Sequence, residues 1–426
     1  MKAVKVSFVI LVAALLAAGL GTTAFAFHSG GVAECGGCHS MHTPKAGGSF
    51  LLLGTDQSST CLNCHLHPGD TGPTSYHIAT ADANMPAGTA PLQRTPGGDF
   101  GWLKKTYTFT VRGTVNTETG SSHGHNIISA DYGYGVDPDF ASSPGGTFPS
   151  SQLACNSCHD PHGKYRRLST GSVATSGAPI VGSGSYDTSA TPAVGQAVGV
   201  YRLLAGAGYA KGGVTFGGVP VAVAPSTYNR SESLQQTRVA YGVSTTGGQE
   251  PWGQWCGTCH GSMHSTGNYV HPVDQGLGSS ISTRYSQYVS SGIMTGTFAA
   301  GQGPFLSLVP FAENTGDYTV LKSHAKNNGT ALAGPGTSDQ VMCLSCHRAH
   351  ASGFPEMLRW QMEGEFISYV DNTGAAAWPG TDTTPGSPQF ARGRLAAENQ
   401  AAYYDRPVSV FGAYQRVLCN KCHAQD

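Results

Sequence analysis

Twelve cysteines fall into six pairs, each with two residues between the partners: Cys35/Cys38, Cys61/Cys64, Cys155/Cys158, Cys256/Cys259, Cys343/Cys346 and Cys419/Cys422. A histidine follows each pair at once: His39, His65, His159, His260, His347 and His423. Such pairs alone would suit a redox dithiol or half of a zinc site, and free-standing cysteines in an exported chain would suit disulfides. The adjoining histidine selects different chemistry. C-x-x-C-H is the attachment motif for c-type haem: two thiols add to the two vinyl groups along one porphyrin edge, and the histidine ligates iron from one face. No cysteine is left over, so the chain reads as a hexahaem c-type cytochrome with those six histidines as proximal ligands.

The second axial position of each iron decides what the haem can do. An open position admits substrate, whereas a second histidine leaves electron transfer. Eleven histidines remain: His28, His42, His67, His77, His123, His125, His162, His264, His271, His324 and His350. Six are needed. No C-x-x-C-K variant is present, because Lys421 lies between the last two cysteines and outside the ligand slot. The order of the histidines repeats three times as H…CxxCHxxH…CxxCH, which divides the chain into two-haem modules of approximately 27–120, 121–300 and 301–426. That pattern selects His28, His42, His125, His162, His324 and His350 as distal ligands. His67, His77, His123, His264 and His271 are left as solvated or propionate-bonded residues, with His77 and His271 kept as alternative ligands.

The elements that must position these groups are short. Of 426 residues 59 are glycine, and only 12% are charged, which argues against long helices and against a charged disordered chain. Lys2, Lys5, the apolar run Val6–Leu20 and Ala24-Phe25-Ala26 form a signal peptide over 1–26, leaving 27–426 as the mature unit. Its removal takes the formal charge from −1 to −3, with no concentrated basic face for nucleic acid. Nothing later in the sequence is long and apolar enough to span a bilayer. First cysteines of successive motifs are 26, 94, 101, 87 and 76 residues apart. The intervening Gly/Ser/Thr/Pro-rich stretches, such as Gly171–Gly217 and Gly292–Gly303, read as ordered loops with short strands. Trp102–Val111 alternates as a strand with Tyr107, Phe109 and Val111 on one face; Met357–Tyr369 and Leu395–Tyr404 read as short helices. Lys164, Arg166 and Arg167 suit haem propionates. The expected fold is a mostly irregular multihaem cytochrome with short helices and a few short strands, wrapped around a continuous row of six haems whose covalent and iron bonds substitute for a conventional core.

Several stretches then point to one family: Phe27–Cys35, Cys61–His65, Met85–Leu92, Cys158–Arg167, Val223–Arg230, Cys343–Phe354 and Cys419–Ala424. Across nearly the whole mature chain the sequence resembles the outer-surface hexahaem cytochromes of metal-reducing bacteria that polymerise into conductive filaments. The resemblance implies a mostly coil fold, bis-histidine haems in a continuous stack, and head-to-tail filaments in which one haem takes its distal histidine from a neighbouring subunit. Carried onto this chain, the donor is His42 and its target is the haem of Cys343/Cys346. The histidine repeat agrees if His162 serves the first haem and His350 the third, with His28, His125 and His324 completing the second, fourth and sixth. The expected function is long-range electron transfer to extracellular acceptors such as metal oxides, without enzymatic activity. The alternatives are a monomeric periplasmic shuttle, or a multihaem reductase, which would need a five-coordinate haem.

Overall fold

The structure, a computed structural model, describes residues 35–45, 49–67, 77–161, 166–168, 173–174, 197–199, 203–225, 237–263, 271–291, 293–294, 297–298, 302–326, 332–381 and 388–423. The signal peptide, His28, His162, Lys164 and His264 lie outside these residues.

Short elements are joined by long irregular stretches. The helices used below are α1 (Cys35–Cys38), α2 (Gln57–His65), α3 (Trp252–Gly257), α4 (Gly278–Gln287), α5 (Tyr318–His324) and α6 (Ala396–Ala402). Among the described residues none is longer than the ten of α4. The strands are β1 (Tyr107–Val111), β2 (Thr114–Glu118), β3 (Ala210–Lys211), β4 (Val214–Thr215), β5 (Val221–Val223), β6 (Ala240–Gly242) and β7 (Ala312–Glu313). Such a mostly coil architecture is the one the composition requires.

Local chemistry explains where the elements start and stop. β1 and β2 form an antiparallel hairpin turned by Arg112 and Gly113, both at positive φ, as a two-residue hairpin turn demands. Tyr107 and Phe109 are buried while Thr108 and Thr110 face out. The strand does not extend back to Trp102 as expected. Phe100–Lys104 is a 3-10 turn, because the buried Asp99 carboxylate accepts from Gly101 N at 2.7 Å and caps it. The helix expected over Met357–Tyr369 does not form either. Glu356 and Met357 adopt positive φ, and Leu358 pairs with His347 instead. The expected helix over Leu395–Tyr404 appears as α6, with Glu398 Oε2 accepting from Leu395 N at 3.1 Å.

The largest core is aromatic. It joins Trp102 and Tyr107 to Phe305, Phe354, Trp360, Trp378 and Tyr403, so the end of the first expected module shares one interior with the third. A charged hub ties the same two regions. Glu118, at the end of β2, accepts from His123 Nε2 at 2.7 Å, from Arg392 Nε at 2.8 Å and from the fully buried Arg394. A second core packs Val219, Ala222, Tyr241, Trp252 and Met342 around a three-stranded sheet in which β5 pairs antiparallel with β6, and β6 pairs parallel with β7.

Candidate haem centre

Every attachment motif lies in a helical turn: α1, α2, α3, and the 3-10 turns Cys155–Ser157, Cys343–Ser345 and Leu418–Lys421. Residues three apart share a face of such a turn, so both sulfurs of a pair can reach one porphyrin edge. The backbone N–H of the following histidine bonds back to the carbonyl of the first cysteine, bringing the imidazole to the same side. This bond measures 3.1 Å at His159, 3.1 Å at His260, 3.0 Å at His347 and 2.9 Å at His423. The third and fifth motifs share a further detail: Ser157 Oγ accepts from Ala154 N and Ser345 Oγ from Met342 N.

Cys38, Cys61 and the eight cysteines of the last four motifs are partly buried, whereas Cys64 is exposed. The cause is local. Ser58, Ser59, Thr60 and Leu62 are the buried residues of α2, and Asn63 and Cys64 follow at its solvent end.

The odd-numbered motifs carry a second device, which no sequence spacing announced. Beyond each, the chain turns back and clamps the motif with two backbone bonds. Ser40 N bonds Leu51 O at 2.8 Å and Leu53 N bonds Cys38 O at 3.0 Å; Asp160 N bonds Leu203 O at 2.7 Å and Ala205 N bonds Cys158 O at 2.8 Å; Arg348 N bonds Met357 O and Arg359 N bonds Cys346 O, both at 2.8 Å. Each returning segment passes through non-glycine positive φ, at Phe50 and Leu51, at Leu203, and at Glu356 and Met357. That conformation costs of order 1–3 kcal/mol per residue and persists only where surroundings enforce it. Its effect is to aim a carbonyl at the proximal ring. Nδ1 of His39 lies 2.8 Å from Phe50 O, and Nδ1 of His347 lies 2.6 Å from Glu356 O. A carbonyl only accepts, so Nδ1 carries the proton and Nε2 presents its lone pair to iron.

Three pairs of imidazoles face one another. Ring centroids are 6.1 Å apart for His125 and His260, 6.3 Å for His159 and His350, and 6.1 Å for His271 and His423. With metal–imidazole bonds of ~2 Å on each side, one iron fits between such rings. Their protonation suits the task. Burial, with His260 nearby, lowers His125 to about 4; burial, with His159 nearby, lowers His350 to about 3. Neutral imidazole is the ligating form. His125 Nδ1 is oriented by Ala349 O at 2.8 Å, and His260 Nδ1 by Pro144 O at 2.8 Å.

The other histidines are placed differently. His324, expected to complete the sixth haem, directs Nδ1 to Glu313 Oε2 at 2.6 Å, while His271 occupies the position facing His423. His123 is fully buried, with Nδ1 against Trp102 O and Nε2 against Glu118, which leaves no lone pair for a metal. His77 is buried, and its neighbour Ile78 donates to the His65 carbonyl at 2.8 Å. His42 is exposed beside Met41, itself 80% exposed. Of the residues suited to propionates, Arg166 and Arg167 belong to a short strand.

The motifs follow one another in space in sequence order. The Cys61 and Cys155 side chains lie within hydrogen-bond reach of each other, joining the second motif to the third, and those of Cys256 and Cys343 likewise join the fourth to the fifth. Cys38 lies within electrostatic reach of Cys61, Cys259 of Cys158, and Cys419 and Cys422 of Cys346. Burial pushes the Cys158 and Cys346 thiols up to about 12 and those of Cys259 and Cys422 to about 11, the opposite of an activated redox thiol. An open cavity of about 380 Å³ lies at the last motif, lined by Met362, Glu365, Arg416, Cys419 and His423. Positive charge collects beside the last two motifs: Arg359 donates to Leu344 O and His347 O, Arg284 to Cys422 O, and Lys421 sits buried inside its own motif. Paired thiols, opposed imidazoles and an adjoining cavity fit haem c. Among the described residues no helix is long and apolar enough to cross a membrane.

No family model matches the chain. The C-type cytochrome OmcS of Geobacter sulfurreducens is 52% identical over 447 residues, covering 100% of both proteins. Two solved structures, the cryo-EM structure of OmcS nanowires and the Outer Membrane Cytochrome S filament, both from Geobacter sulfurreducens, superpose with TM-scores of 0.84 at 50% and 51% identity. Each covers 94% of this chain and 100% of its own. With that identity extending from end to end, and a mostly coil fold shared with the solved filaments, the chain belongs to the OmcS family of c-type cytochromes.

Proposed function

We propose that the mature chain 27–426 binds six haems c, one at each C-x-x-C-H motif, and conducts electrons along them as one subunit of an extracellular head-to-tail filament. The facing imidazole pairs carry this reading: at the third, fourth and sixth motifs a second histidine lies where the far side of an iron would be. His350 completes the third haem, His125 the fourth and His271 the sixth, the last in place of His324. His162 serves the first haem, His28 the second, and His42 the fifth haem of the adjacent subunit. Every iron is then saturated, which leaves no position for substrate and favours electron transfer over catalysis.

Motifs that neighbour one another in sequence order would give short steps for electron hopping along the row. The exported chain crosses the periplasm to the outer surface, where metal oxides or partner cells accept electrons. Intact-mass measurement of the matured protein, combined with electron paramagnetic resonance, tests the reading. The expected result is the 27–426 polypeptide plus six haems and a wholly low-spin ferric spectrum. Five haems or fewer, or a high-spin signal from assembled filaments, would overturn it.

A further inference from the structure

The β3–β4 hairpin delivers a lysine to the place where two attachment motifs meet. Its turn is Gly212-Gly213, at φ 60° and 84°. A Cβ on Gly212 would stand 2.3 Å from the Phe148 ring, so the tip lies flat on that ring and its direction is fixed. Lys211 Nζ donates to Asn156 Oδ1, inside the third motif, and to Gln57 Oε1 at 3.3 Å, the first residue of α2, which carries the second motif. Tyr209, on the same arm, donates its hydroxyl to Asn156 O at 2.6 Å. At this junction the Cys61 and Cys155 side chains lie within hydrogen-bond reach of each other, and Lys211 lies within electrostatic reach of Cys61, Cys155 and Cys158.

Both acceptors of the ammonium are neutral amides. If the hairpin served only to staple α2 to the third motif, a neutral donor would do so without taking a charge out of water. Burial does lower the Lys211 pKa, so the cation is held there at a cost. A fixed positive charge beside a haem favours the ferrous over the ferric state, because reduction removes one unit of positive charge from the iron. We propose that Lys211 is a potential-setting residue, whose ammonium raises the reduction potentials of the haems attached at Cys61/Cys64 and Cys155/Cys158. Each of those haems gains one electron, ferric to ferrous, from its neighbour or from an added reductant. The proposal rests on the six-haem reading above.

Spectroelectrochemical titration of purified filaments, with dithionite as reductant, tests it on the parent, Lys211→Gln and Lys211→Arg, with haem content measured on each by mass. In Lys211→Gln, two of six equivalents move to lower potential while the other four stay, and Lys211→Arg follows the parent. A Lys211→Gln curve equal to the parent's, or displaced uniformly for all six haems, overturns the proposal. So does a loss of haem confined to Lys211→Gln, which would make the lysine a structural staple. A parent mass short of six haems would remove the attachment reading itself, and this proposal with it.

Discussion

His271 and His324 carry the same side chain and differ in what their rings meet. His271 faces His423, whereas a carboxylate holds His324, whose side chain is 44% exposed. His271→Ala is therefore expected to turn one haem high-spin without reducing the six covalent attachments. His324→Ala should leave the low-spin spectrum unchanged. Electron paramagnetic resonance of both variants decides, and the reverse pattern would return His324 to the iron. The attachment reading was legible in the sequence because covalent chemistry fixes the spacing of its residues. The sequence shows distal ligands less well. The histidines chosen ahead of the odd motifs precede them by 7, 30 and 19 residues, so no fixed interval separates a ligand from a bystander. His324 took its place in the repeat by order alone. The pairing of β6 with β7 brings Glu313 to the end of α5, where it accepts from Nδ1; what takes His324 off the sixth haem is His271 standing opposite His423.

Elements show the same division between local and distant causes. β1 was legible because alternation is a property of adjacent residues. The extended course after Met357 was not, because backbone bonds to the fifth motif enforce it. The hub at the end of β2 depends on residues far apart in sequence. Burial works against the charge on Glu118, but the hydrogen bond from His123 and the charge of Arg394 outweigh it and bring the carboxyl to about 2. A carboxylate with its folded-state pKa depressed stabilises the fold above its unfolded value near 4.5, and that contribution is lost as pH falls towards 2. Glu118→Gln would leave the Arg394 guanidinium buried without its counter-charge, at a cost of roughly 3–5 kcal/mol. Urea unfolding at pH 7 should show that loss. Between pH 4.5 and 2 the parent should lose more stability than the variant. A smaller change is expected at α2, where Asp56 caps Ser59 N at 2.7 Å. Asp56→Ala should cost about 1 kcal/mol, measured in the same way.

At the scale of the whole molecule, the proposed ligand scheme gives His42 no earlier odd-numbered haem in its own chain to serve. A donor at one end and an acceptor near the other make a heterologous contact, which without rotational closure propagates as an open filament. His42→Ala retains His39 and both cysteines of its motif, so full haem loading is expected, with one high-spin haem per chain and shorter, fewer filaments in electron micrographs. Filaments of normal length and yield would place His42 on a haem of its own chain. Such assembly was legible only through likeness to a family. What folds the subunit is likewise spread along the chain, since one aromatic core runs from Trp102 through Tyr285 to Phe411 across all three expected modules.

The backbone clamps on the odd motifs have a consequence for how such a wire could be altered. The chain leaving each odd-numbered histidine returns to pair with Leu52, Leu204 or Leu358, after detours of very different length. The endpoints of each detour are locked by the same two backbone bonds, so the number of residues between them can differ while the clamp is kept. A change of detour length that spares those endpoints is expected to leave each odd motif clamped, so relatives can differ in these stretches without losing the turn that presents the histidine.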